Sequence, residues 1–292
     1  MTVPNDSRLR IAAIDFLNPA PLMWDFEHAP LDSALALRYR IDRMTPSECA
    51  ARLISGASDL GLIPIAALAA NPTLRILPGC TIASKGRVRS LLLVRRAAQS
   101  IAQIRTVAAD TASRTTIAYS RILFHKWGNP AAEFLPLAAD LDRMLAAADA
   151  AVVIGDPALL AIEEQANRFE RTGEELVYHD LAQEWRSLTG LPYISALWCG
   201  TAPAGGRLLE EHIAKVAEDL IASRDHGLAN IDILAREWTR RLPLTEDAIR
   251  SYLTDNIHYV LDEECLAGIE GFFRMGAETG VLPEYNFRQP QI

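Results

Sequence analysis

Apolar residues recur along this chain in short runs, separated by segments with helical spacing. The run "LRIAAIDFL", starting at Leu9, is too short for a buried helix and predicts a strand. "TPSECAARLISG" predicts a helix with both ends marked. Thr45 can cap it, Pro46 suits the first helical position, Glu48 completes a capping box, and Gly56 can stop it. "DLGLIPIA" and "LRILPG" predict further strands, and "RSLLLVRR" over 89–96 predicts one flanked by arginines. The alternation then restarts. "RTVAAD" predicts a strand, 114–127 a helix, "AEFLPL" a strand, "DLDRMLAAAD" a helix and "AAVVIGD" a strand. "PALLAIEEQAN" predicts a helix opening at Pro157, and "YISALWCG" over 193–200 a last strand. From about residue 205 the spacing is helical, in "LLEEHIAKVAEDLIASR", "IDILAREWTRR", "TEDAIRSYLTDNI" and "EECLAGIEGFFRMGAETG".

Strands alternating with helices predict an α/β layered fold with parallel pairing. The restart after Arg96 predicts two such units and a helical C-terminal tail. The chain is expected to leave the first unit near 89–95 and to return near 194–199. Lobe 1 would then comprise 1–93 and 196–292, including the tail, and lobe 2 would comprise 94–195, with a cleft between them.

Composition narrows the function classes. At 292 residues, half of them apolar, the chain can bury a sizeable core. A net charge of −8 argues against nucleic acid as a partner. It also means that an anionic ligand must be held by local groups, not by the overall field. The scattered Cys49, Cys80, Cys199 and Cys265 form no C-x-x-C pair, which fits a reducing compartment. The start has no secretory pattern and no long uncharged apolar stretch occurs, so neither export nor a membrane span is expected, and the cytoplasm is the expected location. Glycine-rich nucleotide motifs and histidine metal spacings are missing, so neither a cofactor nor a metal is expected.

Four stretches can carry chemistry. "TASRTT", residues 111–116, crowds hydroxyls and Arg114 at the start of a predicted helix, where unpaired N–H groups and a partial positive charge favour a carboxylate or phosphate. Alternatively, Ser113 merely caps the helix and Arg114 is solvated. "AAVVIGDPALL" repeats the grammar: Gly155 would let a ligand approach the backbone, while Asp156 is either part of that site or only a helix cap. "IDFLNPAPLMW" fixes Asn18 between a strand end and two prolines, as a polar amide for a ligand or as a turn residue. Ser90 opens the arginine-flanked strand but has no nucleophile elbow around it. Trp185 and Trp198 read as core.

Taken in order, "FLNPAPL", "VRSLLLV", "DTASRTTIA", "AAVVIGDPAL" and "YHDLAQEWRSLTGLPYISALW" resemble the chorismate dehydratase family of the futalosine route to menaquinone. The resemblance covers most of residues 9–200. It implies a periplasmic-binding-protein type II fold used as a cytoplasmic enzyme without a cofactor, one that removes water from chorismate to give 3-[(1-carboxyvinyl)oxy]benzoate. Carried over by position, it implies that Asn18 and Ser90 are the key catalytic residues. The expected substrate-binding set is Ser113, Arg114, Thr115 and Thr116 with Gly155 and Asp156. The chain departs from the family's usual residues at Pro19, at Ala66-Ala67 and over Tyr193-Ile194-Ser195. Two other readings stay open. One is a non-catalytic binding protein for a small carboxylate. The other is the sister enzyme 1,4-dihydroxy-6-naphthoate synthase, whose usual "S-P-C-P-N-D" loop is replaced here by "DFLNPAPL".

Overall fold

The computed structural model describes residues 7–201, 208 and 210–286; the terminal stretches 1–6 and 287–292 of the expected first lobe, together with 202–207 and Leu209, lie outside them. In chain order the strands are β1 (Leu9–Ile14), β2 (Tyr39–Met44), β3 (Leu60–Pro64), β4 (Leu74–Ser84), β5 (Leu91–Arg96), β6 (Thr106–Asp110), β7 (Glu133–Leu137), β8 (Ala150–Ile154), β9 (Leu176–Asp180), β10 (Tyr193–Thr201) and β11 (His258–Val260). Before β5 come the helices α1 (Trp24–His28), α2 (Ala34–Arg38) and α3 (Pro46–Ile54). Between β6 and β10 come α4 (Thr115–Lys126), α5 (Leu141–Ala147), α6 (Gly155–Glu163), α7 (Gln165–Thr172) and α8 (Leu181–Thr189). The C-terminal part supplies α9 (Glu210–Ala229), α10 (Ile231–Trp238), α11 (Glu246–Ser251) and α12 (Glu263–Glu278).

The strands form two sheets, ordered β11-β4-β10-β3-β1-β2 and β7-β6-β8-β5-β9. Strands β1, β3, β6 and β8 are buried at nearly every position, because both of their faces are covered. The expected parallel pairing holds for β1 with β2 and β3, and for β6 with β7 and β8. It fails for β5 and β10, which run antiparallel to their neighbours. Each of these two strands receives the chain from the other sheet, and so enters its own sheet from the opposite end.

Neither strand crosses between the sheets. β5 lies wholly in the second sheet and β10 wholly in the first, so the chain changes sheets over 85–90 and 181–192. Asp180 ties these passages together. One carboxylate oxygen accepts the backbone N–H groups of Val88 (2.9 Å) and Arg89 (2.6 Å). The other accepts the Gln183 N–H at 3.1 Å and caps α8. Arg89 is held at φ +67°, unusual for a residue with a side chain, and it also pairs with Glu163 and reaches Ser251.

The tail departs from its all-helical expectation. After α11 the backbone widens into a π-helical segment, Tyr252–Asn256, and then forms β11 on the edge of the first sheet beside β4. Trp185 and Trp198 are fully buried, in keeping with a core role.

Candidate functional site

The site lies where the carboxyl ends of β1, β3, β6 and β8 face one another, the position at which open α/β sheets bind ligands. A cavity of about 40 Å³ is lined there by Asn18 and Phe16 from one side, by Ser113, Thr115, Thr116 and Gly155 from the other, and by Ser195 and several apolar residues. No Lys, Arg or His side chain lines it among the described residues.

The segment 111–116 folds as a tight entry to α4. The Ser113 hydroxyl accepts the Thr116 N–H at 3.0 Å, so the serine does cap the helix. Thr115 Oγ1 accepts the Ala66 N–H (3.1 Å), and Thr116 Oγ1 accepts the Tyr193 hydroxyl (3.1 Å). Each of the three hydroxyl oxygens therefore accepts one hydrogen bond from the protein. A hydroxyl offers one donor and two lone pairs, so each proton stays available to a ligand at the start of a helix. Arg114 turns away: its side chain is exposed and takes no part in the lining.

Gly155 begins α6 at φ +65°, and a Cβ there would meet the Phe16 ring at 2.7 Å, so only glycine fits this close approach. Its N–H is spent on the Ser90 carbonyl at 2.8 Å. Asp156 does not line the cavity. Its carboxylate accepts the Leu17 N–H at 2.8 Å and so links α6 to the loop after β1. Burial pushes its pKa up to about 6, against the lowering effects of the Leu17 N–H and of Arg241. The backbone of the predicted Gly-Asp pair thus reaches the site, while the acid fastens the two units together.

Asn18 sits after β1 as predicted, with its carbonyl accepting the Tyr259 hydroxyl at 3.0 Å. Its side-chain Oδ1 is buried and has no hydrogen-bond partner. An orphaned acceptor in a cavity wall costs stability unless a ligand pairs with it. Ser90 lies directly behind the lining, fully buried, and its Oγ accepts the Tyr252 hydroxyl at 2.8 Å. Asn18, Ser113, Thr115, Thr116 and Gly155 thus meet in one cavity, with Ser90 one layer back and Arg114 outside.

Sequence reasoning missed the tyrosines. Tyr252, Tyr259 and Tyr193 are buried, and burial raises each phenol's pKa so that it stays protonated and donates. In the sequence each reads as an ordinary apolar position. It also missed a cluster outside the site, where ligand atoms of His258, Asp262 and Cys265 come within 4.8 Å of one another. The Lys85 ammonium already bonds Asp262 there at 2.7 Å, and a cation would have to displace it.

With the geometry in place, comparison with known proteins gives three findings. A family model described as menaquinone biosynthesis matches residues 9–278. Chorismate dehydratase of Thermus thermophilus is 28% identical over 254 residues, covering 84% of this chain and 89% of that one. Among solved structures, a protein from Archaeoglobus fulgidus superposes with a TM-score of 0.71 at 16% identity, covering 95% of this chain and all of that one. The alkanesulfonate-binding protein SsuA of Xanthomonas axonopodis superposes at 0.67 with 15% identity, covering 100% of this chain and 99% of its own. At such identities the structures establish the fold alone. That fold is the periplasmic-binding-protein architecture of two α/β units, here with a helical C-terminal segment.

Proposed function

Because the chain belongs to the menaquinone biosynthesis family, we propose that it is a lyase that dehydrates chorismate to 3-[(1-carboxyvinyl)oxy]benzoate, the first step of the futalosine route. The observation that carries this reading is the meeting of the Ser113, Thr115 and Thr116 hydroxyls with the unpartnered Asn18 Oδ1 in one cavity. Chorismate brings the complementary groups, carboxylates that need donors and a ring hydroxyl that needs an acceptor.

The chemistry is an elimination. The ring hydroxyl leaves with its bonding electrons, a neighbouring ring hydrogen leaves as a proton that passes to the departing oxygen to give water, and the electrons of that C–H bond complete the aromatic ring. The hydroxyls at the α4 start hold a carboxylate. Asn18 orients the ring hydroxyl by accepting its hydrogen bond before reaction, and Ser90 donates towards the oxygen on which negative charge develops, once the ligand replaces the present packing. Hydrogen bonds aimed at developing charge in a dry site are worth most in the transition state. Asp156 is committed to Leu17, so the proton acceptor in this reading is the substrate's own side-chain carboxylate. The cavity of about 40 Å³ is far too small for chorismate. In this reading the two units, each built on one sheet, part to admit the substrate and then close on it.

The test is turnover. The wild-type protein mixed with chorismate should generate the ultraviolet absorbance of a benzoate product. Asn18→Ala and Ser90→Ala should each bind chorismate by calorimetry and lose on the order of 100- to 1000-fold in turnover. A wild-type protein that binds chorismate without converting it would instead make the chain a carboxylate receptor. Full activity in either variant would remove that residue from the mechanism.

A further inference from the structure

We propose that Arg89 is a positioning residue: its left-handed backbone, pinned from several sides, sets where Ser90 stands. The task given to Ser90 rests on the dehydratase reading; its placement by Arg89 does not.

Arg89 is one of the arginines that flank β5 in the sequence, yet it is not a solvated strand end: only 17% of its side chain is exposed. Its φ of +67° is the one positive value among the described residues other than glycine. A residue with a side chain keeps such a backbone only where its surroundings over-determine it. Three groups do so here. One Asp180 oxygen accepts the N–H groups of both Val88 (2.9 Å) and Arg89 (2.6 Å), and successive N–H groups converge on one anion where the backbone turns through a left-handed residue. The guanidinium pairs with Glu163, the last residue of α6. It also donates to the hydroxyl of Ser251, the last residue of α11, at 3.3 Å.

Ser90 inherits this geometry as the next residue. Its carbonyl accepts the Gly155 N–H at 2.8 Å, and its Oγ accepts the Tyr252 hydroxyl at 2.8 Å. The two neighbours thus hold the same two elements in step. Arg89 takes the last residue of α6 and Ser251, while Ser90 takes the first residue of α6 and the residue after Ser251. A return of Arg89 to negative φ would rotate everything beyond its N–Cα bond and carry Ser90 off both contacts. Glycine would accept this backbone without strain, because it has no Cβ. Arginine supplies what glycine lacks, two side-chain anchors that hold the turn in place.

The experiment compares full-length Arg89→Ala and Arg89→Gly, which lack the same guanidinium and differ by one methyl group. Alanine is strained at this φ and glycine is not. Crystal structures should show Ser90 Oγ beyond hydrogen-bond reach of the Tyr252 hydroxyl in Arg89→Ala and within reach in Arg89→Gly. An unmoved Ser90 in Arg89→Ala overturns the proposal, whatever the activity. If Arg89→Ala does not fold, Arg89→Asn and Arg89→Gln carry the same comparison, because asparagine enters the left-handed region far more readily than glutamine. Kinetics give the second arm. Arg89→Ala should lower kcat on the order of 100-fold with KM little changed, the effect of a catalytic group misplaced by about 1 Å, and Arg89→Gly should recover at least about tenfold of that loss. Equal kcat in the two variants would overturn the proposal. Added to Ser90→Ala, Arg89→Ala should cost little further turnover, because its action passes through the serine, and multiplying losses would count against it in the same way. Failure of the wild-type protein to convert chorismate would sink the dehydratase reading instead, and the crystal comparison would still decide the role of Arg89.

Discussion

Single residues here do work that their type alone does not announce. Asp156 looks like a ligand-binding acid in "IGDPAL", yet its carboxylate holds the Leu17 N–H. Its folded pKa, about 6, lies above the ordinary carboxylate value near 3.8. The native state therefore binds the extra proton between these values, and this residue's contribution to stability is present at low pH and lost as pH rises through about 6. Asp156→Asn keeps the acceptor and removes the charge, so it should raise Tm relative to wild type more at pH 8 than at pH 5. Equal effects at both pH values would show that the acid titrates normally. The hydroxyls of Thr115 and Thr116 test the anion reading. Thr115→Val with Thr116→Val should weaken chorismate binding by roughly 1.5–3 kcal/mol for each lost bond to charge, read by calorimetry. Unchanged binding would move the carboxylate elsewhere.

Among the elements, the passages between the sheets depend on Asp180. Its carboxylate gathers three backbone N–H groups from 88, 89 and 183, and burial raises its pKa against their pull. Asp180→Ala would leave the part-buried Val88 and Arg89 N–H groups unpaired, at about 1–3 kcal/mol each, and would remove the α8 cap. Chemical denaturation should show a loss of at least about 3 kcal/mol; a loss below about 1 kcal/mol would mean that water replaces the carboxylate. How legible an element was in the sequence followed its local signals. The capping box of α3 forms between Thr45 and Glu48 as written, because both partners lie within one turn. Strand β2, "YRIDRM", gave no signal, since an edge strand with charged residues does not alternate cleanly. Strand β9 and the three-residue β11 are edge strands too short to alternate over several positions, and α8 was missed because Trp185 and the aromatics beyond it read as core. Asn18 and the 113–116 hydroxyls were legible because they sit at strand-to-helix turns. Tyr252 was not, because its partner Ser90 lies 162 residues away and only the tail's path joins them.

At the scale of the molecule, the two units are fastened by a short set of hydrogen bonds around the cavity: Leu17 to Asp156, Ala66 to Thr115, Tyr193 to Thr116, and the Ser47 hydroxyl to the Ala112 carbonyl at 2.9 Å. Each contributes about 0.5–1.5 kcal/mol net, and Tyr119 packed on Tyr193 and Phe272 adds apolar contact between the units, so opening near the cavity must break both. A cysteine pair at Ser47 and Ala112 would lock the units together. All four native cysteines are buried and free, which leaves the new pair as the accessible one. Oxidised Ser47→Cys/Ala112→Cys protein should be inactive on added chorismate and should recover with reductant. Activity that survives oxidation would show that the substrate enters without parting the units.

The lining without a Lys, Arg or His side chain also sets how the site answers to its medium. A pocket that gathers a dianion with cations loses affinity as dissolved ions screen them, with the Debye length shrinking from about 30 Å at 0.01 M to about 3 Å at 1 M. Neutral hydroxyls and an amide act only at contact range and are hardly screened. The overall charge of −8 repels the same dianion during its approach, and dissolved ions relieve that repulsion. Raising ionic strength should therefore leave KM for chorismate flat or slightly lower it, the reverse of the response of an arginine-clamped enzyme. A steep rise of KM with salt would reveal a cation that swings into the cavity when the substrate arrives, with Arg114 the first to substitute.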